Sequence, residues 1–401
     1  MTMPEQKKAV VPRLRFPEFR DAGPWEVKRL GEVAEVNAAG DLDFSQFSPV
    51  LTQEHIYPIY SNSIAQEGLY GFSTYPKYKK NSVTITARGT LGVAFYRDHD
   101  FVGIGRLLIV NARQEISPRY LKEVWNYLVR EPFENGGIPQ LTAIKARTIK
   151  LVFPSLPEQQ KIADCLSSLD ELIELQARQL EALKAHKKGL MQQLFPREGE
   201  TTPRLRFPEF RDAGPWEVKR LGEVFCERSE RGSNGLELLS VTISDGVVRA
   251  AELERKNNAN ADLSNYKKVC PGDIVYNSMR MWQGASGVSW WHGVVSPAYT
   301  VVTPKESQNA VFWAYCFKLE HSIAKFVRFS QGVTSDTWNL KYPAFSAIEM
   351  AFPAEQAEQQ KIADCLSSLD ELIELQARQL EALKAHKKGL MQQLFPQGID
   401  L

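Results

Sequence analysis

The chain has 401 residues, 43% hydrophobic and 24% charged, with 49 Lys and Arg against 48 Asp and Glu. Those proportions exclude a disordered or fibrous chain, and the length suggests two or three domains of about 100–200 residues. No run approaches the roughly 18 apolar residues of a membrane span, and the N-terminus has no apolar core of a secretory signal. Five scattered cysteines without a C-x-x-C pair exclude a disulfide framework and make a zinc site unexpected. A cytoplasmic protein is expected.

The first element is a block, PRLRFPEFRDAGPWEVKRLGEV (12–33), that recurs unchanged at 203–224. An insert (34–157) follows, with strand-like runs at 82–88, 91–96, 101–105 and 107–110, a helix over Pro118–Val129, and a Gly/Pro loop at 135–140. Residues 158–196 come next and recur unchanged at 358–396. The second insert (225–357) carries strand-like runs at 236–243, 272–278, 286–291 and 296–302, a helix from about Asn309 to Val327, and a Gly loop at 330–335. The period far exceeds the roughly 20–50 residues of solenoid repeats, so this is a duplication. Drift alone would scatter changes through the frames as well as the inserts. Unchanged frames around unlike inserts therefore favour one assembly role for the frames and two recognition tasks for the inserts.

The repeated helix carries a seam with steps of four and three. In the first copy it runs through Ile162, Leu166, Leu169, Ile173, Leu180, Leu183, Leu190 and Leu194, with Gln176 and Lys187 as its polar members. In the second copy the same positions are Ile362, Leu366, Leu369, Ile373, Leu380, Leu383, Leu390 and Leu394. This is a heptad pattern, and the chain supplies its own identical partner. Parallel pairing would set Lys187 against Lys387, so antiparallel pairing is expected, with each lysine reaching water. Each helix spans roughly 57 Å at ~1.5 Å per residue. Leu172 and Leu175 lie off the seam; they suit either the helix's own insert or another subunit. The expected fold is α+β, two α/β domains separated by a pair of long antiparallel coiled-coil helices in a pseudo-two-fold repeat. The expected boundaries are 1–156, 157–196, 197–356 and 357–401.

No catalytic motif is present: no phosphate-binding G-x-x-x-x-G-K-[ST] loop, H-E-x-x-H or G-x-S-x-G, and the six histidines are dispersed. No metal-ligand set is expected. The inserts do hold groups suited to DNA. Lys77, Lys79 and Lys80 alternate with tyrosines, and Lys267 and Lys268 follow Tyr266, a composition suited to phosphate contact. Arg88, Asn277 and Arg280 end strand-like runs, and Gln140, Gln331 and Thr334 sit in the Gly loops, where such side chains reach base edges.

With these motifs in this order, the chain resembles the DNA-specificity subunit of type I restriction–modification enzymes over essentially its whole length. The resemblance is carried by PRLRFPEF…WEVKRLGEV in both frames and by FPSLPEQQKIA (153–163) and FPAEQAEQQKIA (352–363) opening the helices. Within the inserts, YPIYSNSIAQEGLYG (57–71), PGDIVYNSMRMWQGASGVS (271–289) and VVSPAYTVV (294–302) look like target-recognition segments, which adds Ser61, Asn62 and Gln283 as DNA-binding candidates. The second helix start lacks the proline at 157. The resemblance implies two target-recognition domains, each reading half of a bipartite double-stranded DNA target. It also implies two methyltransferase subunits carrying S-adenosylmethionine and restriction subunits using ATP and Mg²⁺, with no cofactor and no catalysis in this chain. The competing class is a non-DNA coiled-coil scaffold presenting two protein-interaction domains.

Overall fold

The computed structural model describes residues 10–129, 140–231, 235–253, 263–335 and 337–396. In chain order the first half comprises β1 (Glu26–Arg29), α1 (Leu30–Val33), β2 (Ala34–Ala38), β3 (Phe47–Ser48), β4 (Tyr57–Tyr60), β5 (Leu69–Ser73), β6 (Ser82–Ile85), β7 (Ala94–Arg97), β8 (Val102–Gly103), β9 (Leu108–Ala112), α2 (Pro118–Leu128), α3 (Ala143–Thr148), β10 (Lys150–Phe153) and the long helix α4 (Leu156–Leu194). The second half comprises β11 (Glu217–Arg220), α5 (Leu221–Val224), β12 (Phe225–Glu227), β13 (Glu237–Val241), β14 (Val247–Arg249), β15 (Lys267–Val269), β16 (Ile274–Asn277), β17 (Ser286–Val288), β18 (Gly293–Val295), β19 (Tyr299–Pro304), α6 (Ala310–Cys316), α7 (Glu320–Phe329), α8 (Tyr342–Ser346), β20 (Glu349–Phe352) and the long helix α9 (Gln356–Leu394).

Two compact units result: Met1–Ala177 with Arg378–Leu401, and Arg178–Ala377. Each owns the first part of one long helix and the last part of the other. In the first unit Ile162 and Leu166 of α4 share a core with Leu394 and Phe395 at the end of α9. In the second, Ile362 and Leu366 share a core with Leu194 and Phe195. The beginning of each helix therefore packs on the end of the other, which is the antiparallel arrangement. All seam positions are buried or half-buried, whereas Leu172, Leu175, Leu372 and Leu375 are 38–47% exposed. Packing of those off-seam leucines against their own insert is overturned.

The lysines of the seam correct a second expectation. They do not reach for water. Lys187 pairs with Asp370 at 2.5 Å and lies 4.9 Å from the Tyr315 ring, and Lys387 pairs with Asp170 at 2.5 Å. The helix register lays an aspartate of one helix beside the half-buried ammonium of the other, and that pairing offsets its loss of hydration.

The identical frames repeat their main contacts, although Trp216 Nε1 donates to Glu358 at 3.3 Å while the matching Trp25 Nε1 is buried without a partner among the described residues. Arg15 forks onto Glu158 with two 2.7 Å bonds, and Arg206 does so onto Glu358. β1 pairs antiparallel with β10, and β11 with β20, each closing its insert at the base. Both long helices have 39 residues although only the first has the proline at its start. Gln159 and Gln359 account for this, each donating to a carbonyl just before its helix (Pro154 at 2.9 Å, Pro353 at 3.0 Å) and accepting from an insert N–H (Ser117, Asn309).

Unlike in sequence, the inserts share a topology. Each has an antiparallel sheet of matching order, β2-β9-β6-β7 and β12-β19-β16-β17. Each also has a second sheet built around one parallel pair, β4 with β8 and β13 with β18. The central strand β6 (SVTI) is buried at every residue, which β-branched side chains tolerate well. α2 starts on a Ser117 cap with Pro118 in its first turn. The single helix expected from Asn309 to Val327 is two helices, α6 and α7. Phe317 is fully buried at the break, and Lys318 turns inward to donate to the carbonyls of Ile243 and Gly284.

That inward lysine gives a pH prediction. Burial, with Lys187 nearby and Asp245 only partly opposing, pushes the Lys318 ammonium down to about 8 from 10.5. Between these values the unfolded chain binds a proton that the folded chain does not, so stability rises with pH across that window; below it the full desolvation cost is present. Compared with a Lys318→Met variant, the native protein should gain on the order of 3 kcal/mol from pH 8 to 10.5. Urea melts across that range check it, and parallel pH profiles would refute it.

Candidate nucleic-acid interface

In each unit the hairpin leaving the central strand meets the loop that leads into the last short helix. In the first unit Leu141 N–H donates to Ala87 O at 3.0 Å, and Arg88 and Gln140 bridge each other as an antiparallel pair. In the second, Leu340 N–H donates to Ser278 O at 2.8 Å, and Gln331 bridges Asn339. A third loop joins from the other sheet. Ser61 N–H donates to Gly68 O at 2.8 Å, as Thr242 N–H does to Gly246 O at 2.7 Å.

The candidates separate accordingly. In the first unit Ser61, Asn62, Arg88 and Gln140 converge. Asn62 accepts from Ala87 N–H at 2.7 Å and donates to Gly105 O, so its amide ties three loops together. Arg88 is exposed beside it, on a hairpin that turns through Gly89 and Gly92, both with positive φ. Of the loop at 135–140 only Gln140 lies within the described residues. Lys77, Lys79 and Lys80 precede β6 and so lie at the other end of that strand; Lys79 pairs with Asp100 at 2.9 Å.

The second unit gathers Asn277, Arg280, Gln283, Gln331 and Thr334. Asn277 Oδ1 accepts from Met279 N–H at 3.1 Å, leaving its amide nitrogen as a donor, while Arg280 is exposed at the tip. Gly332 has φ +140°, and a Cβ there would lie 2.6 Å from Thr337 O, so only glycine fits this turn. Lys267 and Lys268 again sit before the central strand, 3.4 Å from Glu227 and 3.2 Å from Glu230. The lysine clusters are thus set apart from the converging loops in both units.

Two supports were hidden in the sequence. Arg97, only 1% exposed, lies 3.5 Å over the Tyr60 ring and donates to Glu67 O at 2.6 Å. It holds Gln66 and Glu67 in left-handed backbone at the end of the Ser61–Asn62 loop. Burial lowers its pKa, and Tyr60 and Glu67 counter that shift. In the second unit Trp282 and Trp338 pack edge to face at 5.4 Å, joining hairpin to loop. The tryptophans stand out in WQG and TWN, but nothing local says that they meet. Around them Met279 is 43% and Val333 97% exposed, an apolar fringe that residue-by-residue reading missed.

Chemically, these loop clusters offer guanidinium, amide and hydroxyl groups on rigid supports, suited to hydrogen-bond recognition. Among the described residues no group of three or more His, Cys, Asp or Glu side chains is placed to hold a metal, and no helix is long and apolar enough to cross a membrane.

Comparison with known proteins supplies a family. The type I restriction modification DNA specificity domain matches residues 23–185 and again 214–385. A Mycoplasma pneumoniae chain named as a type I specificity subunit is 28% identical over 155 residues, 38% of this chain and 42% of that one. The specificity subunit of the type I restriction enzyme MjaVIII from Methanocaldococcus jannaschii is 26% identical over 280 residues, 65% of this chain and 64% of that one. The chain thus spans less than two thirds of the length of each of these relatives. The crystal structure of a type I restriction–modification S subunit from M. genitalium has the same fold, with a TM-score of 0.65 at 15% identity over 97% of this chain and 100% of that one. With both copies of the domain matched, this chain belongs to the type I restriction modification DNA specificity family.

Proposed function

We propose that this chain is the sequence-reading subunit of a type I restriction–modification complex, each unit reading one half of a bipartite double-stranded DNA target. The observation that carries this is the pairing of identical frames with unlike loop clusters, Arg88 and Gln140 in one and Asn277, Arg280, Gln283, Gln331 and Thr334 in the other. Identical frames suit a constant assembly, and unlike clusters suit two different half-sites. A bidentate Arg–guanine or Gln–adenine contact discriminates by about 1–3 kcal/mol, so a few such residues suffice. In this reading two methyltransferase subunits bring S-adenosylmethionine, restriction subunits bring ATP and Mg²⁺ chemistry, and this chain binds and orients the DNA in the cytoplasm.

The test replaces residues 225–357 with a second copy of 34–157 and co-expresses the chain with its methyltransferase. Because the two long helices run antiparallel, the expected methylated target changes from two unlike halves to an inverted repeat of one half. A methylome that keeps the original asymmetric sequence would overturn the assignment. A chain that binds proteins through either insert but leaves no methylation pattern would favour the scaffold.

A further inference from the structure

Cations also gather away from the recognition loops, on the frame itself. In the second unit the last third of α4 turns Lys184, Lys187 and Lys188 toward a cleft of about 760 Å³ that Arg197, Arg204 and Lys318 also line. Glu320 is the one carboxylate among its lining residues, and it makes a loose, exposed ion pair with Lys188 at 3.9 Å. Arg197 and Arg204 are exposed and make no ion pair among the described residues. In the first unit the repeat-related Lys384, Lys387 and Lys388 line a cleft of about 440 Å³ with Lys122, opposed by Glu123 and Asp170.

The clefts recur at the same place on the frame, and each is walled on its other side by its own insert helix. Lys318 lines the second cleft and also donates to Gly284 O, so that cleft borders the hairpin carrying Asn277, Arg280 and Gln283. Bases differ between half-sites and call for unlike inserts; the phosphate backbone is the same everywhere and suits Lys184, Lys187 and Lys188, which recur as Lys384, Lys387 and Lys388, with Arg197 and Arg204 added in the second unit alone.

We propose that these twin clefts take the phosphate backbone of duplex DNA beside each half-site, with Lys184, Lys188, Arg197 and Arg204 as contacting cations in one and Lys384 and Lys388 in the other. Lys187 and Lys387, half-buried against Asp370 and Asp170 at 2.5 Å, shape the walls, whereas Lys184, Lys384 and Lys188 have only exposed partners, Glu181 at 2.8 Å, Glu381 at 2.8 Å and Glu320 at 3.9 Å, that a phosphate can displace. The proposal rests on the DNA-reading function above.

The test measures binding of the full chain to a random-sequence duplex across a salt series, and selects preferred sequences from a randomised duplex library. Each lost phosphate contact should flatten the slope of log affinity against log salt by about 0.9, so Arg197→Gln/Arg204→Gln and Lys384→Gln/Lys388→Gln should each flatten it by about 1.8 without changing the melting temperature. An unchanged slope overturns the clefts, as does loss of a co-expressed protein partner with DNA binding intact; bipartite selection by the native chain would then leave half-site reading standing. A flattened slope in a chain that selects no sequence supports the clefts and removes half-site reading. A native chain that binds no duplex at low salt overturns both.

Discussion

Glu358→Ala is expected to destabilise the second unit by about 3–5 kcal/mol, the range for removing one partner of a buried ion pair. Glu358 is 1% exposed and receives both Nε and Nη2 of Arg206 at 2.7 Å, with Trp216 Nε1 at 3.3 Å. Alanine leaves the guanidinium without its paired carboxylate, with only the weaker charge of Glu355 nearby, at the junction where the frame's N-terminal block grips the long helix. Arg206 keeps only its carbonyl partners, Ala213 and Gly214. Because the desolvation cost falls on the surviving charge, removing both partners together as Arg206→Met/Glu358→Leu should cost much less than Glu358→Ala alone. Glu158→Ala should act alike on the first unit, where Arg15 makes the same fork. Urea unfolding followed by circular dichroism reads these differences. A loss under about 1 kcal/mol would show that the fork merely decorates the junction.

Leu166→Ala should cost about 2–5 kcal/mol, whereas Leu172→Ala, less than two turns further along the helix, should stay within about 0.5 kcal/mol. Leu166 is fully buried in a core that includes Leu394 and Phe395 from the opposing helix, and truncation opens a cavity there. Leu172 is 43% exposed. Equal losses at the two sites, compared by the same unfolding assay, would mean that the seam does not organise the helix pair.

Much of this architecture was legible because it is written in short-range patterns. The heptad steps placed Ile162, Leu166 and Leu194 on one face, and all three are buried. Ser117-Pro118 marked the start of α2. Other elements left weak signals. β4 and β5 were not expected as strands, and β14, β15 and β18 have only three residues each, too short for alternation to show. The break between α6 and α7 carries no proline or glycine; it follows from Phe317 and Lys318 finding partners elsewhere in the fold.

The candidate interface divides in the same way. Residue type and loop context singled out Arg88, Gln140, Arg280 and Gln331, but not which of them meet. Lys77 to Lys80 and Lys267–Lys268 looked equivalent to them in sequence, yet strand direction puts them at the other end of the central strands.

By itself the sequence determined the duplication, the helical seam, the antiparallel preference and the presence of two unlike inserts on one frame. These depend on periodicity, capping and identity over neighbouring residues, which hold wherever the segment folds. Only tertiary structure decided that Arg88 faces Gln140, that Lys187 rests on Asp370, and that two inserts without common sequence share the strand order of their antiparallel sheet. Such pairings join residues far apart in the chain, and they are selected by which buried charge, carbonyl or apolar face still needs a partner once the local elements have formed.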